Sequence, residues 1–126
     1  MTVSTHVLDA SRGIPAVGVP VALARAALPA SAASPADSRH WVPLESGVTD
    51  ADGRHRFTVA TPPGTYQLTF ATGPYFAARG TGTFYPEVTI TFTVPEPPDA
   101  AANGKAAHFH VPLLLSPFAY STYRGS

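Results

Sequence analysis

Cysteine is absent from the 126 residues. This excludes disulfides and thiolate-bound zinc, and it gives no argument for an oxidising compartment. Neither charge sign is in excess: eight Lys and Arg stand against eight Asp and Glu. Lysine occurs once, at Lys105, and the arginines are scattered without forming the basic stripe of a nucleic-acid partner. No apolar run approaches a membrane span. The start, Met1 to His6, lacks the basic and apolar regions of a signal peptide. A soluble, cytoplasmic protein is therefore expected, with neither a membrane nor a nucleic acid as partner. Its zero net charge permits oligomers without requiring them.

No segment carries a sustained helical apolar period, and fourteen prolines and ten glycines cut the chain into short pieces. Alternation is present instead. Val3, Thr5 and Val7 share one side of a first strand, with Ser4, His6 and Leu8 on the other. Val17, Val19, Val21 and Leu23 alternate through a second. Residues 26–40, rich in Ala, Ser and Pro, read as a surface loop within one domain spanning 1–126. Trp41 to Leu44 reads as a short strand. Asp52-Gly53 is a turn feeding a strand from Arg54 to Val59, and Pro62-Pro63-Gly64 leads into Tyr66 to Phe70. One short helix is expected over 73–80, between Pro74 and Gly80. In Val88 to Val94 the apolar residues face the core and three threonines face out. A loop with Pro97, Pro98 and Gly104 leads into the His108 strand, where Pro112 implies a bulge or an edge-like position. Seven or eight short strands at this spacing predict an all-β sandwich.

The chemistry-bearing residues concentrate towards the end. His108 and His110, at i and i+2, point to the same face of a strand. With His6 they make a three-histidine zinc site arithmetically possible. A bare His-x-His is a weak signal, however, and no carboxylate is obviously placed to orient such a site. Tyr123-Arg124-Gly125-Ser126 keeps an aromatic and a cation to the last residues, which argues for a placed segment over a frayed one.

Three blocks carry a resemblance: Ser4-Thr5-His6-Val7-Leu8-Asp9 with Gly13-Ile14-Pro15-Ala16, Thr49 to Arg54, and the histidine pair running to Tyr-Arg-Gly-Ser. With Thr72 to Phe76 and Phe84 to Val88, they make the chain resemble the transthyretin-like 5-hydroxyisourate hydrolases. Transthyretin proper shares the Leu-Leu-Ser-Pro and Tyr-Ser-Thr stretches but continues with a different tail. The resemblance implies a prealbumin-like β-sandwich of two four-stranded sheets with one short helix. It also implies a homotetramer, a dimer of dimers, whose sites lie in a channel between dimers. The implied activity opens 5-hydroxyisourate to 2-oxo-4-hydroxy-4-carboxy-5-ureidoimidazoline, without metal or other cofactor.

Opening a cyclic amide needs an activated water and positive charge where the carbonyl oxygen gains charge. Histidine suits the first task and arginine the second. Taken singly, His6 is an ordinary strand histidine and Arg54 a solvated cation after a turn. The resemblance makes His6 catalytic and Arg54 the substrate anchor, both also contacting substrate. His110, next to the apolar run, is the first choice as catalytic partner of His6. His108, nearer the strand entrance, is the runner-up and a substrate contact. Tyr123 is a substrate contact and Ser126 completes the catalytic set. Arg56 and Arg79 stay with the ordinary reading, and Arg124 alternates to the other face from Tyr123, which leaves its role open, a structural one included. The competing function is a transthyretin-like carrier of a small aromatic ligand. A carrier needs neither the His6, Arg54, His110 set nor the Tyr-Arg-Gly-Ser end.

Overall fold

A computed structural model describes residues 1–27, 40–96 and 107–126. Its strands are β1 (Thr2–Asp9), β2 (Ile14–Pro15), β3 (Pro20–Ala27), β4 (His40–Val48), β5 (Arg54–Arg56), β6 (Gly64–Phe70), β7 (Val88–Val94), β8 (His108–Ser116) and β9 (Ala119–Thr122), with one helix, α1 (Thr72–Ala77), between β6 and β7. Among the described residues no helix is long and apolar enough to cross a membrane.

Two sheets pack face to face. One has the order β4-β3-β6-β7, as the four-stranded expectation requires. The other runs β2-β1-β8-β9, with β5 also pairing β1, so it counts five strands because the two-residue β2 joins it. In β1, Val3, Thr5, Val7 and Asp9 turn inward and are buried. Val3 and Val7 meet Leu23, Leu68 and Phe70 of the second sheet and Phe57 from the turn after β5 in one apolar core. Thr5 makes an inward hydroxyl tolerable by donating to the Val111 carbonyl at 2.6 Å.

Asp9 is the costly residue of this core, fully buried at the end of β1. Its carboxylate accepts from Ser11 N and Oγ, Arg12 N, and the Tyr75 hydroxyl of α1 at 2.8 Å. Burial pushes its pKa up, but these hydrogen bonds outweigh burial and hold it below the ordinary value. Tyr75 is correspondingly pushed up to about 12, by burial and by Asp9. The pair ties the helix to the first sheet.

Several boundaries differ from expectation for local reasons. The second strand starts at Pro20, because Val17 and Gly18 form a turn that leaves Val17 44% exposed. Conversely, β4 is longer than Trp41 to Leu44 and pairs all along β3, to Ala27–His40. Ala26, Ala27 and His40 therefore belong to strands, while 28–39 of the expected surface loop lie outside the described residues. So does the expected loop over 97–106. The strand from Arg54 stops at Arg56 because Glu45 on β4 captures the Thr58 and Val59 N–H groups at 2.9 Å. Once those donors bond a carboxylate, they are lost to a neighbouring strand.

The β7 strand has the expected bounds, with Val88 and Val94 buried, but Ile90 and Phe92 only half-buried. Its place at the sheet edge explains this, since they rim a cleft of about 250 Å³ shared with Phe109, Val111 and Arg124. Pro112 produces no bulge against β1, where the parallel register runs unbroken from Thr2–His108 to Asp9–Leu115. Its effect falls on the β9 side. Pairing is continuous from Ser116–Ala119 to Leu113–Thr122 and returns, in the same register, as a single bridge between His110 and Gly125. Proline lacks the N–H that the intervening position needs, so the ladder breaks there. Thr122 Oγ1 donates to the Pro112 carbonyl at 2.7 Å and holds the strand in place.

Candidate active site

The outward face of the first sheet gathers the residues singled out from the sequence. Paired residues of neighbouring strands project to the same side of a sheet. His6 pairs Arg54 across β1 and β5, and Pro112 across β1 and β8. Ser4 pairs Arg56 on one side and His110 on the other, and Thr2 pairs His108. Three strands from distant parts of the chain thus bring His6, Arg54, Arg56, His108 and His110 onto one outer surface, opposite the Val3 and Val7 core.

Arg54 is set by the turn before it. Asp50 Oδ1 accepts from Asp52 N at 2.9 Å and Arg54 N at 3.0 Å, and these backbone bonds lower the Asp50 pKa. Gly53 has φ +75°, and a Cβ there would stand 2.4 Å from the Val7 carbonyl oxygen. Glycine is therefore required for the turn to lie against β1 and deliver Arg54 opposite His6.

The histidine pair is wired through a serine. Ser4 Oγ lies 2.8 Å from His110 Nδ1 and 2.8 Å from His108 Nε2, and His108 Nδ1 lies 2.6 Å from Thr2 Oγ1. His110 is half-buried and His108 exposed, in keeping with their places along the strand. Burial lowers the His110 pKa, and the charges of Arg54, His6 and His108 lower it further. Burial and then Arg56 do the same for His108. A neutral imidazole facing an arginine across a strand is equipped to take a proton from water near neutral pH. Among the described residues no three His, Cys, Asp or Glu side chains are grouped to hold a metal.

The terminal segment reaches this face. Its register sets Tyr123 opposite Pro112, on the side of His6 and His110. Tyr123 is 58% exposed and Ser126 is exposed, so a single chain does not close over either. Arg124 stands on the other side of the segment, with its guanidinium 5.0 Å from the Phe109 ring centre. Arg79 likewise packs 3.7 Å over the Tyr75 ring and donates to the Tyr75 carbonyl.

Two further residues, Ser4 and Arg56, share this face. The sequence alone shows Ser4 only as sharing the His6 side of β1, and reads Arg56 as a solvated cation. The alternation of Arg54 and Arg56 across His55 was the available signal for the second. Nothing within β1 announces that Ser4 sits between two imidazoles.

Residues 3–125 match the HIUase/Transthyretin family. The chain belongs to that family. It is 40% identical to mouse 5-hydroxyisourate hydrolase over 127 residues, covering 98% of this chain and 93% of the mouse protein. The Deinococcus radiodurans 5-hydroxyisourate hydrolase is 38% identical over 130 residues, covering 98% and 94%. Among solved structures, Klebsiella pneumoniae 5-hydroxyisourate hydrolase superposes with a TM-score of 0.75 at 37% identity, covering 100% of both chains. Transthyretin from Sparus aurata superposes with a TM-score of 0.77 at 27% identity, covering 98% of this chain and 95% of the other. Within the family, therefore, backbone similarity alone does not separate 5-hydroxyisourate hydrolase from transthyretin.

Proposed function

We infer that this protein hydrolyses 5-hydroxyisourate to 2-oxo-4-hydroxy-4-carboxy-5-ureidoimidazoline, a step of urate degradation. One observation carries the reading: His6, Arg54 and His110 come from three strands to one outer surface, in a chain 37–40% identical to hydrolases of this name. A carrier of a small aromatic ligand has no use for a neutral histidine set against an arginine.

His110 takes a proton from water, and the oxygen attacks the ring carbonyl carbon. Arg54 binds the planar substrate edge and polarises the carbonyl, offsetting the charge that its oxygen gains. His6, opposite Arg54, shares the proton transfers and the substrate contact. His108 contacts substrate beside His110. Tyr123 stacks on the ring, and Ser126 completes the catalytic set. Collapse of the adduct breaks the carbon–nitrogen bond, and a returned proton lets the nitrogen leave. This chemistry calls for no metal or organic cofactor.

The proposal includes a homotetramer, a dimer of dimers. The open face and the exposed Tyr123 and Ser126 support it, because a second copy across that face would exclude water and strengthen the electrostatics. The cytoplasm, expected from the sequence, is carried forward as the compartment.

The test is product identification. Carbon-13 urate is oxidised in situ, catalytic protein is added, and the spectrum is followed. The reading expects a ring carbonyl signal replaced by a carboxylate while an unassisted solution is still largely intact. A carrier would bind the compound and leave its carbonyl signal in place.

A further inference from the structure

Ser4, His108 and Thr2 form, with His110, an unbroken line of hydroxyls and imidazoles; the roles above use His110 as base and His108 as a substrate contact, but neither the two hydroxyls nor the line itself. The three contacts in the line measure 2.8, 2.8 and 2.6 Å. Ser4 is buried, and among the described residues its hydroxyl contacts the two rings. With one proton to give, it donates to one ring and accepts from the other. Each neutral imidazole carries a single N–H, so the whole line has two orientations. Either His110 Nδ1–H donates to Ser4, Ser4 to His108 Nε2, and His108 Nδ1–H to Thr2, or every bond runs the other way.

We propose that Ser4 and His108 are positioning residues that set the tautomer of His110 and carry its proton to solvent through Thr2. The first orientation leaves His110 Nε2 bare and facing the substrate as a base. The second puts a proton on that nitrogen and makes it an acid. The inference rests on the hydrolase reading for the use made of His110.

Conversion of one orientation into the other balances. A water O–H bond breaks, its proton goes to His110 Nε2, and its oxygen bonds the carbonyl carbon. His110 Nδ1–H passes to Ser4, the Ser4 proton to His108 Nε2, and His108 Nδ1–H to Thr2, whose own proton leaves to solvent. When the carbon–nitrogen bond breaks, the departing nitrogen takes the His110 Nε2 proton. A proton entering through Thr2 restores the first orientation. His110 never becomes an imidazolium, which its surroundings disfavour: Arg54 and Arg56 face it from β5, His6 from β1, and His108 from its own strand. Thr2 is half-exposed, so the outer end of the line reaches water.

The tautomer is read by nitrogen-15 NMR of histidine rings in the wild-type chain at neutral to mildly alkaline pH. The expected result is His110 protonated at Nδ1 and bare at Nε2, against the preference of free imidazole. Ser4→Ala should release His110 to the Nε2–H form and lower kcat about tenfold or more, with KM changing less than about twofold. Ser4→Thr, which keeps the hydroxyl, should restore both. His108→Gln should keep the His110 tautomer, through an amide that still accepts from Ser4, yet lower kcat because an amide cannot pass the proton on. Wild-type His110 protonated at Nε2 and bare at Nδ1 would overturn the proposal, whether or not Ser4→Ala folds. So would a Ser4→Ala protein with unchanged tautomer and kcat. The expected tautomers in a protein without hydrolase activity would overturn the hydrolase reading alone.

Discussion

Gly125 lies against the His110 imidazole so closely that a Cβ there would stand 2.6 Å from His110 Cδ2, while its N–H donates to the His110 carbonyl at 2.8 Å. The terminal segment thus holds both backbone and ring of the proposed base. Its glycine is required by contact, with no unusual backbone angle involved. Gly125→Ala should push the ring aside and pull Nδ1 off Ser4. We expect kcat/KM to fall on the order of 10²-fold, as for small misplacements of a catalytic group. Thermal unfolding should change little, because the ring lies outside the core. Unchanged kcat/KM in Gly125→Ala would show that the tail does not position His110.

His6→Ala, Arg54→Ala and His110→Ala should each lower kcat/KM tenfold or more, within the roughly 10²–10⁴ range of acid–base groups. All three side chains project from the outer face, so far-ultraviolet circular dichroism and melting should stay close to wild type. Near-normal turnover in all three would remove the assigned site.

The pH dependence has a definite sign. Burial and the charges of Arg54, His6 and His108 lower the His110 pKa. As a base it works neutral, so kcat/KM should be level above about pH 6.5, the ordinary histidine value, and decline below it with a midpoint on the acid side. Arg54→Gln removes one of the causes and should move the His110 titration, read by proton NMR, back up. The same shift acts on stability. Below the unfolded value the unfolded chain binds the proton more readily, so this group's contribution is lost as pH falls through that window and regained as pH rises. A midpoint above that of free histidine would contradict the assignment.

Away from the site, Tyr75→Phe should destabilise without altering turnover. It leaves buried Asp9 one donor short, which costs roughly 1–3 kcal/mol. Asp9 has a lowered pKa, so its own contribution is present above the unfolded carboxylate value and lost as pH falls through the folded one. Chemical denaturation at neutral pH checks the prediction. An unchanged midpoint would mean that water replaces the hydroxyl.

What the sequence revealed depended on whether the information lay within one strand. Alternation along β1 put His6 outside and Val3 and Val7 inside, and the i, i+2 pair put His108 and His110 on one face. The same pattern bounded β7 correctly. Relationships between strands were not legible. Ser4 and His110 are 106 positions apart, and only the parallel register of β1 and β8 joins them. The end of β5 depends on Glu45, a carboxylate on a strand of the other sheet, so propensity over Arg54 to Val59 overran it. Val17 fits the apolar alternation yet lies in a turn, because periodicity does not see where pairing begins. The requirement for Gly125 is a contact with a ring fifteen residues earlier. No local signal carries it.

The rate at which fresh 5-hydroxyisourate disappears tests the proposed activity most directly. The compound is generated from urate and urate oxidase, the oxidase is removed, and ultraviolet decay is followed with wild-type protein, with His110→Ala and with neither. Because the compound also decays unaided, the rate is compared and not the end point. We predict a wild-type rate that rises in proportion to protein at substoichiometric amounts, and a His110→Ala rate at least tenfold closer to the unaided one. Decay that is unchanged, or slowed by protein binding the compound, would contradict the account.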